Sequence, residues 1–360
     1  MKETAHYRAL PRRFRRPTLL LVGCGDVGGR IGTLLARHGH DRLRVIGTTR
    51  GTDGAARLRA LGIVPLRADL DDAATLARLR AFAQRMIDLA PPPNTGATDP
   101  RSARLVAALA GGAAAPGPSG SGRVPPARRG LLPGSARVVQ VGRRGGLGAA
   151  ARRAPVAGRA RWVYVSTTGV YGDCGGAQFD ETRAVQPANA RAVRRVDAER
   201  RFRSPTAWRT ADAALLRVPG IYAHDRLPIE RLHKGLPALA PADDVYTNHI
   251  HADDLARIAW RAVLRGRAGR VVHAVDDTDL RMGDYFDRVA DAFGLPRPPR
   301  VDRQTLTGLV TPMMLSFMSE SRRLENRRLK RELGVRLRFP DVEATLRDCL
   351  STASHIPGNR

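Results

Sequence analysis

The chain has 360 residues, with 61 Lys and Arg against 34 Asp and Glu for a net charge of +27, and 42% of its residues are hydrophobic. That length suits two structural units or one large α/β enzyme, and that apolar share excludes a wholly disordered chain. Three scattered cysteines, Cys24, Cys174 and Cys349, show no CxxC spacing, which excludes a disulfide framework and a thiolate zinc site and points to a reducing, cytoplasmic setting. Apart from Lys2, Lys234 and Lys330 every basic residue is arginine, spread through all segments without aromatic interleaving, so the charge speaks for non-specific stickiness and against a dedicated nucleic-acid module.

Residues 1–16 form a basic leader with no apolar region of signal-peptide length behind it, and no run approaches the roughly 20 apolar residues of a membrane span. The run Leu19-Leu20-Leu21-Val22 reads as a strand that enters Gly23-Cys24-Gly25-Asp26-Val27-Gly28, and the spacing Ile31, Leu34, Leu35 predicts a helix stopped at Gly39. Further strands are expected at 44–49, 63–67 and 86–90, with an amphipathic helix over 72–85 and another over 99–110. Such alternation implies βαβ units and a parallel sheet. Residues 111–160 contain 12 Gly, 11 Ala, 6 Pro and 9 Arg and no acidic residue. A segment of that composition offers little apolar surface to offset the entropy of ordering, and it reads as a disordered insertion, with a local strand conceivable only at 136–141; an arginine-rich functional loop and a stretch read out of frame are the alternatives. Order is expected again in a strand at 162–166, a basic helix at 188–203, a strand at 214–218, a helix at 254–265 and a strand at 271–275, with 283–350 mainly helical.

GCGDVG sits between a strand and a helix, the context in which GxGxxG binds a dinucleotide. Gly23 permits the tight turn, Gly25 lets a pyrophosphate approach the backbone, and Gly28 lets helix and sheet pack closely, while unpaired amides of Asp26 and Val27 open the helix toward phosphate. An NAD site would place Asp or Glu near the end of the second strand to bond the ribose 2′-hydroxyl. Thr48-Thr49-Arg50 stands there instead, and a guanidinium favours a 2′-phosphate, so NADP is preferred to NAD.

In order, GCGDVG, Asp69-Leu70, VYVSTTGVYGD, LRVPGIY and NHIHADDLA resemble the extended short-chain dehydrogenase/reductases, the NAD-dependent epimerase/dehydratase group, over about 17–110 and 161–350. The chain looks closest to an atypical branch described as nucleoside-diphosphate-sugar epimerase-like. The resemblance implies an α/β, Rossmann-type doubly wound parallel sheet over 17–110 and 161–222, with 247–275 returning to it. A small, mainly helical C-terminal substrate lobe would take 223–246 and 276–350, leaving a tail at 351–360. It implies that Asp69 and Leu70 border the adenine, that Leu89, Ala90 and Pro91 line the cofactor beside the ribose, and that Pro219, Gly220 and Tyr222 close over the nicotinamide. Thr167 falls at the catalytic Ser/Thr position, and His251 and Asp254 at the stretch that ties the lobe to the sheet. The implied substrate is a small molecule such as a nucleotide sugar, and the family commonly dimerises.

The chain departs from the family at the Tyr-xxx-Lys pair. With Glu199 as anchor, Arg195 takes the Lys position and Arg191 the Tyr position. Arg195 can hold a ribose, but a guanidinium with a pKa above about 12 is no general acid. Tyr171, Tyr222, His224 and Asp173 are the replacement candidates; Tyr171 joins Thr167 and Arg195 as a catalytic candidate, and its other reading is structural. Cys174 reads as a bland thiol, and His249, His251 and Asp253 read as packing residues because no further metal ligand stands at suitable spacing. The run 321–338 reads as a helix with a solvated basic face, from which Arg322 or Arg323 would meet a substrate phosphate. Two functions from different classes follow: an NAD(P)-dependent oxidoreductase or epimerase, and a dinucleotide-binding sensor or scaffold without turnover.

Overall fold

Four consecutive apolar residues need cover on both sides, and strand β1 (Thr18–Val22) has it: Leu19, Leu20, Leu21 and Val22 are each 0% exposed. The computed structural model describes residues 16–38, 43–111 and 158–353. Its main sheet continues with β2 (Arg44–Thr49), β3 (Val64–Arg67), β4 (Arg85–Asp88), β5 (Ala160–Thr167), β6 (Ala211–Val218) and β7 (Val271–His273). All seven are parallel, in the order β7-β6-β5-β4-β1-β2-β3. The order reverses between β1 and β4, the doubly wound Rossmann arrangement, which opens a ligand crevice at the carboxyl ends of those strands.

Alternate residues of β1 serve separate cores. Leu19 and Leu21 pack with Ile31 and Leu35 of α1 (Asp26–Arg37), while Leu20 and Val22 pack on the opposite face with Leu105, Val106 and Leu109. Each fully buried leucine contributes about 1.5–3 kcal/mol. A short helix, α2 (Thr52–Ala60), follows β2, and α3 (Pro100–Ala110) covers the second face. Asp99 caps α3 by accepting the Arg101 and Ser102 amides, Pro100 opens it, and Gly111 closes it at φ +80°. Next come α4 (Ala190–Phe202), capped by Asn189, and α5 (Ala252–Arg265), which packs on α1. A smaller core outside the sheet joins Leu232, Leu306 and Met318 to Phe286 and Val289 of α6 (Met282–Ala292) and Leu346 of α7 (Val342–Ala353).

Several expectations are corrected here. Residues 72–85 form two 3₁₀ turns, Ala73–Thr75 and Ala77–Ala81, and no α-helix; Leu76 and Leu79, the pair buried between sheet and α3, stand three apart, the 3₁₀ period. Residues 321–338 are not one helix either. Arg323–Leu324 pairs in parallel with Gln178–Phe179, only Arg327–Arg331 is helical, and Gly334 turns the chain at φ +62°. Leu329, Leu333 and Val335, expected in the lobe, pack in the sheet core beside α5. The insertion, including the strand at 136–141, lies outside the described residues over 112–157, as do residues 1–15 of the leader and 354–360 of the tail.

Candidate active site

Gly23 has φ +70°, and a Cβ there would lie 2.6 Å from the Ala90 Cα, so only glycine lets the turn after β1 press against the end of β4. The turn is braced from β2: the Gly23 amide donates to Thr48 Oγ1 at 3.0 Å and the Gly25 amide to the Gly23 carbonyl at 2.8 Å. Gly25 differs in kind, since a Cβ on it would meet nothing within 4 Å and it caps α1 with no side-chain bond. Open space therefore lies over the first amides of α1, which have no acceptor within the helix, and the helix dipole favours an anion there. Asp26 leaves that space for Arg30 (3.1 Å) and Arg226 (3.2 Å), and Val27 packs on the core below. Gly28 makes room for Cys24, whose Sγ would stand 2.6 Å from an added Cβ. Burial pushes that thiol up to about 11, so it is unreactive.

Around this turn stand the loops that close β2, β3 and β4. Arg50 follows β2 and is exposed. Arg57 of α2 donates to the Cys24 carbonyl at 2.8 Å, a second guanidinium at the turn that sequence reading missed because its partner is 33 residues away. Asp69 is held by Thr75, whose Oγ1 accepts its amide at 2.9 Å, and Arg104 fixes the Leu70 carbonyl at 3.1 Å. Leu89, Ala90 and Pro91 follow β4, with the Ala90 amide donating to Asp88 Oδ1 at 3.0 Å. Burial pushes the Asp88 carboxyl up to about 7.

Beyond β4 the same edge borders a cavity of about 290 Å³ between the sheet and the smaller core. Thr167 ends β5 and lines it, with Oγ1 also accepting the Gly169 amide at 3.2 Å. Pro219, Gly220, Tyr222, His249, Tyr285 and Phe317 also line it. Arg195 bridges the strand ends: its Nη1 donates to the Ala90 carbonyl (3.3 Å), the Val165 carbonyl (3.0 Å) and the Tyr164 hydroxyl (2.9 Å). Arg191 reaches the cavity too, its guanidinium 5.0 Å from the Phe317 ring.

Tyr171 is not placed at this cavity, which corrects its assignment as a catalytic candidate. Its hydroxyl is buried between His273 Nε2 (2.6 Å) and Arg217 (2.6 Å), and Arg217 pairs in turn with Glu199 at 2.7 Å. Burial pushes the phenol up to about 12, with Arg217 only partly offsetting it. Tyr222 lines the cavity, yet its hydroxyl donates to Asp276 at 3.0 Å, and burial pushes that carboxyl up to about 8. His224 pairs with Asp348 at 2.9 Å and does not line the cavity, and Asp173 accepts the Ser321 amide at 2.8 Å away from it. Arg322 is buried rather than solvated, with Nη1 on the Gly172 carbonyl (2.8 Å) and on Glu320 (2.7 Å), and Glu320 also accepts from Asn189 at 3.2 Å. Arg323 lies against the Tyr246 ring at 4.7 Å and donates to the Gly176 carbonyl, whereas Arg322 lines the cavity and its Nε has no partner among the described residues. His251 caps α5 by accepting the Asp253 amide at 3.2 Å, and the buried Asp254 accepts the Arg338 and Phe339 amides (3.0 and 2.8 Å), tying residues 338–339 to α5.

Solved structures share the fold. A conserved protein of unknown function from Silicibacter pomeroyi is 28% identical, with 93% of this chain and 99% of that one covered at a TM-score of 0.68. A putative NAD-dependent epimerase/dehydratase from Methylobacillus flagellatus is 21% identical over 94% and 100% of the two chains at a TM-score of 0.61. The chain shares the Rossmann-type α/β fold of these structures. A double mutant of dTDP-glucose 4,6-dehydratase from Streptomyces venezuelae, solved with NAD bound, shares that fold at 19% identity, 94% and 97% coverage and a TM-score of 0.65. No family model and no curated protein matches the chain. The shared fold accounts for the crevice at the glycine turn.

Proposed function

We propose that the protein binds a pyridine dinucleotide and acts as an oxidoreductase or epimerase on the alcohol or carbonyl of a nucleotide sugar or a similarly polar compound. One observation carries the reading: at the switch point of a doubly wound sheet, α1 begins without a side-chain cap under the open Cα of Gly25. The amides of Asp26, Val27 and Gly28 would hold the diphosphate. Asp69 and Leu70 would border the adenine, Leu89, Ala90 and Pro91 the adjacent ribose, and Pro219 and Tyr222 the nicotinamide end. When bound, the dinucleotide supplies hydride chemistry. Thr167 presents a hydroxyl that orients the substrate oxygen, and Arg195, pinned to the ends of β4 and β5, supplies fixed positive charge beside the nicotinamide ribose. Arg50 at the end of β2 supports NADP over NAD through pairing with a 2′-phosphate.

Arg191 in place of the tyrosine favours a second reading, in which the protein binds the dinucleotide and turns nothing over. Calorimetric titration with NADPH and NADH tests the first step on wild type and Arg50→Asp. The substitution is expected to shift the preference toward NADH by about tenfold, the worth of one charge-assisted contact of about 1.4 kcal/mol. An unchanged ratio rejects the role of Arg50, and absence of binding by either dinucleotide rejects the reading as a whole. Turnover assayed with nucleoside diphosphate hexoses separates enzyme from sensor.

A further inference from the structure

With arginine at both positions of the usual proton-transfer pair, the cavity needs another proton carrier, and most of its polar groups are already engaged: the Tyr222 hydroxyl by Asp276, and Glu320 by Arg322 and Asn189. His249 is not. It opens the short strand His249–His251, which pairs in parallel with Gly220–Tyr222 and sets His249 beside Gly220. Two residues before Gly220, Val218 pairs with Thr167. Thr167 and His249 thus flank the same stretch of backbone, 218–220, and both line the cavity.

The imidazole is held firmly and polar-side empty. Its ring lies 4.4 Å from the Tyr285 ring and edge-on to Tyr222 at 5.9 Å. The residue is only 6% exposed, and Nδ1 has no hydrogen-bond partner among the described residues. That Nδ1 is itself buried, so the ring meets the cavity through its Nε2 edge, for which the structure shows no hydrogen bond among the described residues. Burial pushes the ring down to about 4, so it is neutral near pH 7 and offers one nitrogen lone pair and one N–H.

We propose that His249 exchanges the proton with the reacting oxygen of the substrate, while the Thr167 hydroxyl holds the same oxygen. The inference rests on the oxidoreductase reading above. In the oxidative direction the alcohol O–H bond breaks and its proton passes to Nε2 of His249. The carbinol C–H bond breaks with its hydride passing to the oxidised pyridine dinucleotide, and the carbon–oxygen double bond forms; reduction returns both. Tyr222 and Tyr285 pack on the ring and the Asp276 amide donates to the His249 carbonyl at 2.8 Å, while Arg191, Arg226, Tyr246, Glu320 and Arg322 stand on the cavity walls.

The test uses the full chain as wild type, His249→Phe, which keeps the stacking on Tyr285, and His249→Ala. Turnover is measured with NADP⁺ and NADPH on nucleoside diphosphate hexoses, dinucleotide affinity by fluorescence, and the imidazole resonances by NMR of histidine-labelled protein. Loss of the proton carrier is expected to lower kcat about 100-fold or more in both variants with dinucleotide affinity unchanged, and added imidazole to restore part of the activity of His249→Ala. Addition of the hexose to NADP⁺-bound wild type is expected to shift the His249 resonance. Near-wild-type kcat in His249→Phe, or a resonance that does not move at saturating substrate, overturns the role of His249 and leaves the oxidoreductase reading standing. A wild type that binds dinucleotide but turns over no hexose overturns both.

Discussion

At the glycine turn the working atoms are backbone amides, whereas in the cavity beside it they are groups delivered from six separate stretches of chain. The turn needs little from its residues: Gly23 must lack a side chain because Ala90 is 2.6 Å from where one would begin, and Gly25 must leave space open. Those demands fall within six residues and leave a compact signature. The cavity gathers Thr167, Arg191, Gly220, His249, Tyr285 and Phe317. Each can be exchanged if another segment offers an equivalent group, so the arginines at 191 and 195 alter the expected pair without altering the fold. A site made of backbone keeps its pattern, and a site made of side chains is free to redistribute its chemistry.

The sharpest way to break this contrast lies under the cavity. Arg217 and Glu199 form a buried pair, each side chain 4% exposed, and Arg217 also holds Tyr171. Removing one partner of such a pair strands the other charge, so Arg217→Ala is expected to cost about 3–5 kcal/mol in urea unfolding. A loss below about 1 kcal/mol would mean that the side-chain scaffold tolerates exchange even in its foundations.

Next in size is the contrast within the turn itself. Gly23→Ala combines a left-handed backbone with a close approach and is expected to cost about 2–4 kcal/mol. Gly25→Ala meets no neighbour within 4 Å, so stability should hold while dinucleotide affinity falls about tenfold, as calorimetry would read. If both variants merely destabilise, Gly25 is structural and the backbone cradle is not a binding device.

The smallest effect concerns pH. Burial holds His249 at about 4, below its ordinary 6.5, so the unfolded chain takes up this proton first as pH falls. The stability it contributes is complete above about pH 6.5 and is lost toward pH 4 at about 1.4 kcal/mol per pH unit. His249→Phe should remove that component of the slope in unfolding measured between about pH 7 and pH 5. An identical slope would mean that the imidazole sits in a wetter setting than its packing implies.

Much of the sheet was legible because burial on both faces writes a continuous apolar run, as at residues 19–22, and because glycine must stand where the chain turns tightly. The helix Thr52–Ala60 was illegible for the opposite reason: of its residues only Leu58 is buried, so it carries no apolar stripe. Residues 72–85 misled because arginines and alanines between two leucines mimic an α-helical face, although the spacing that is buried is three. In the site, Thr48 and Arg57 escaped notice because their partners, Gly23 and Cys24, are 25 and 33 residues distant. His249 reads as packing from the sequence, since nothing local reveals that Gly220 arrives beside it with Thr167 on the far side of the same stretch of backbone.

The placement of Gly111 has a practical side. α3 runs back against the strands, so this residue sits beside Arg80 at the amino edge of the sheet, and β5 re-enters level with the start of β4, Arg161 alongside Arg85. Both junctions of the stretch 112–157 therefore belong to the pole farthest from the crevice. A fluorescent module or affinity handle grafted next to Gly111 or Gly158 is thereby attached at the pole opposite the crevice.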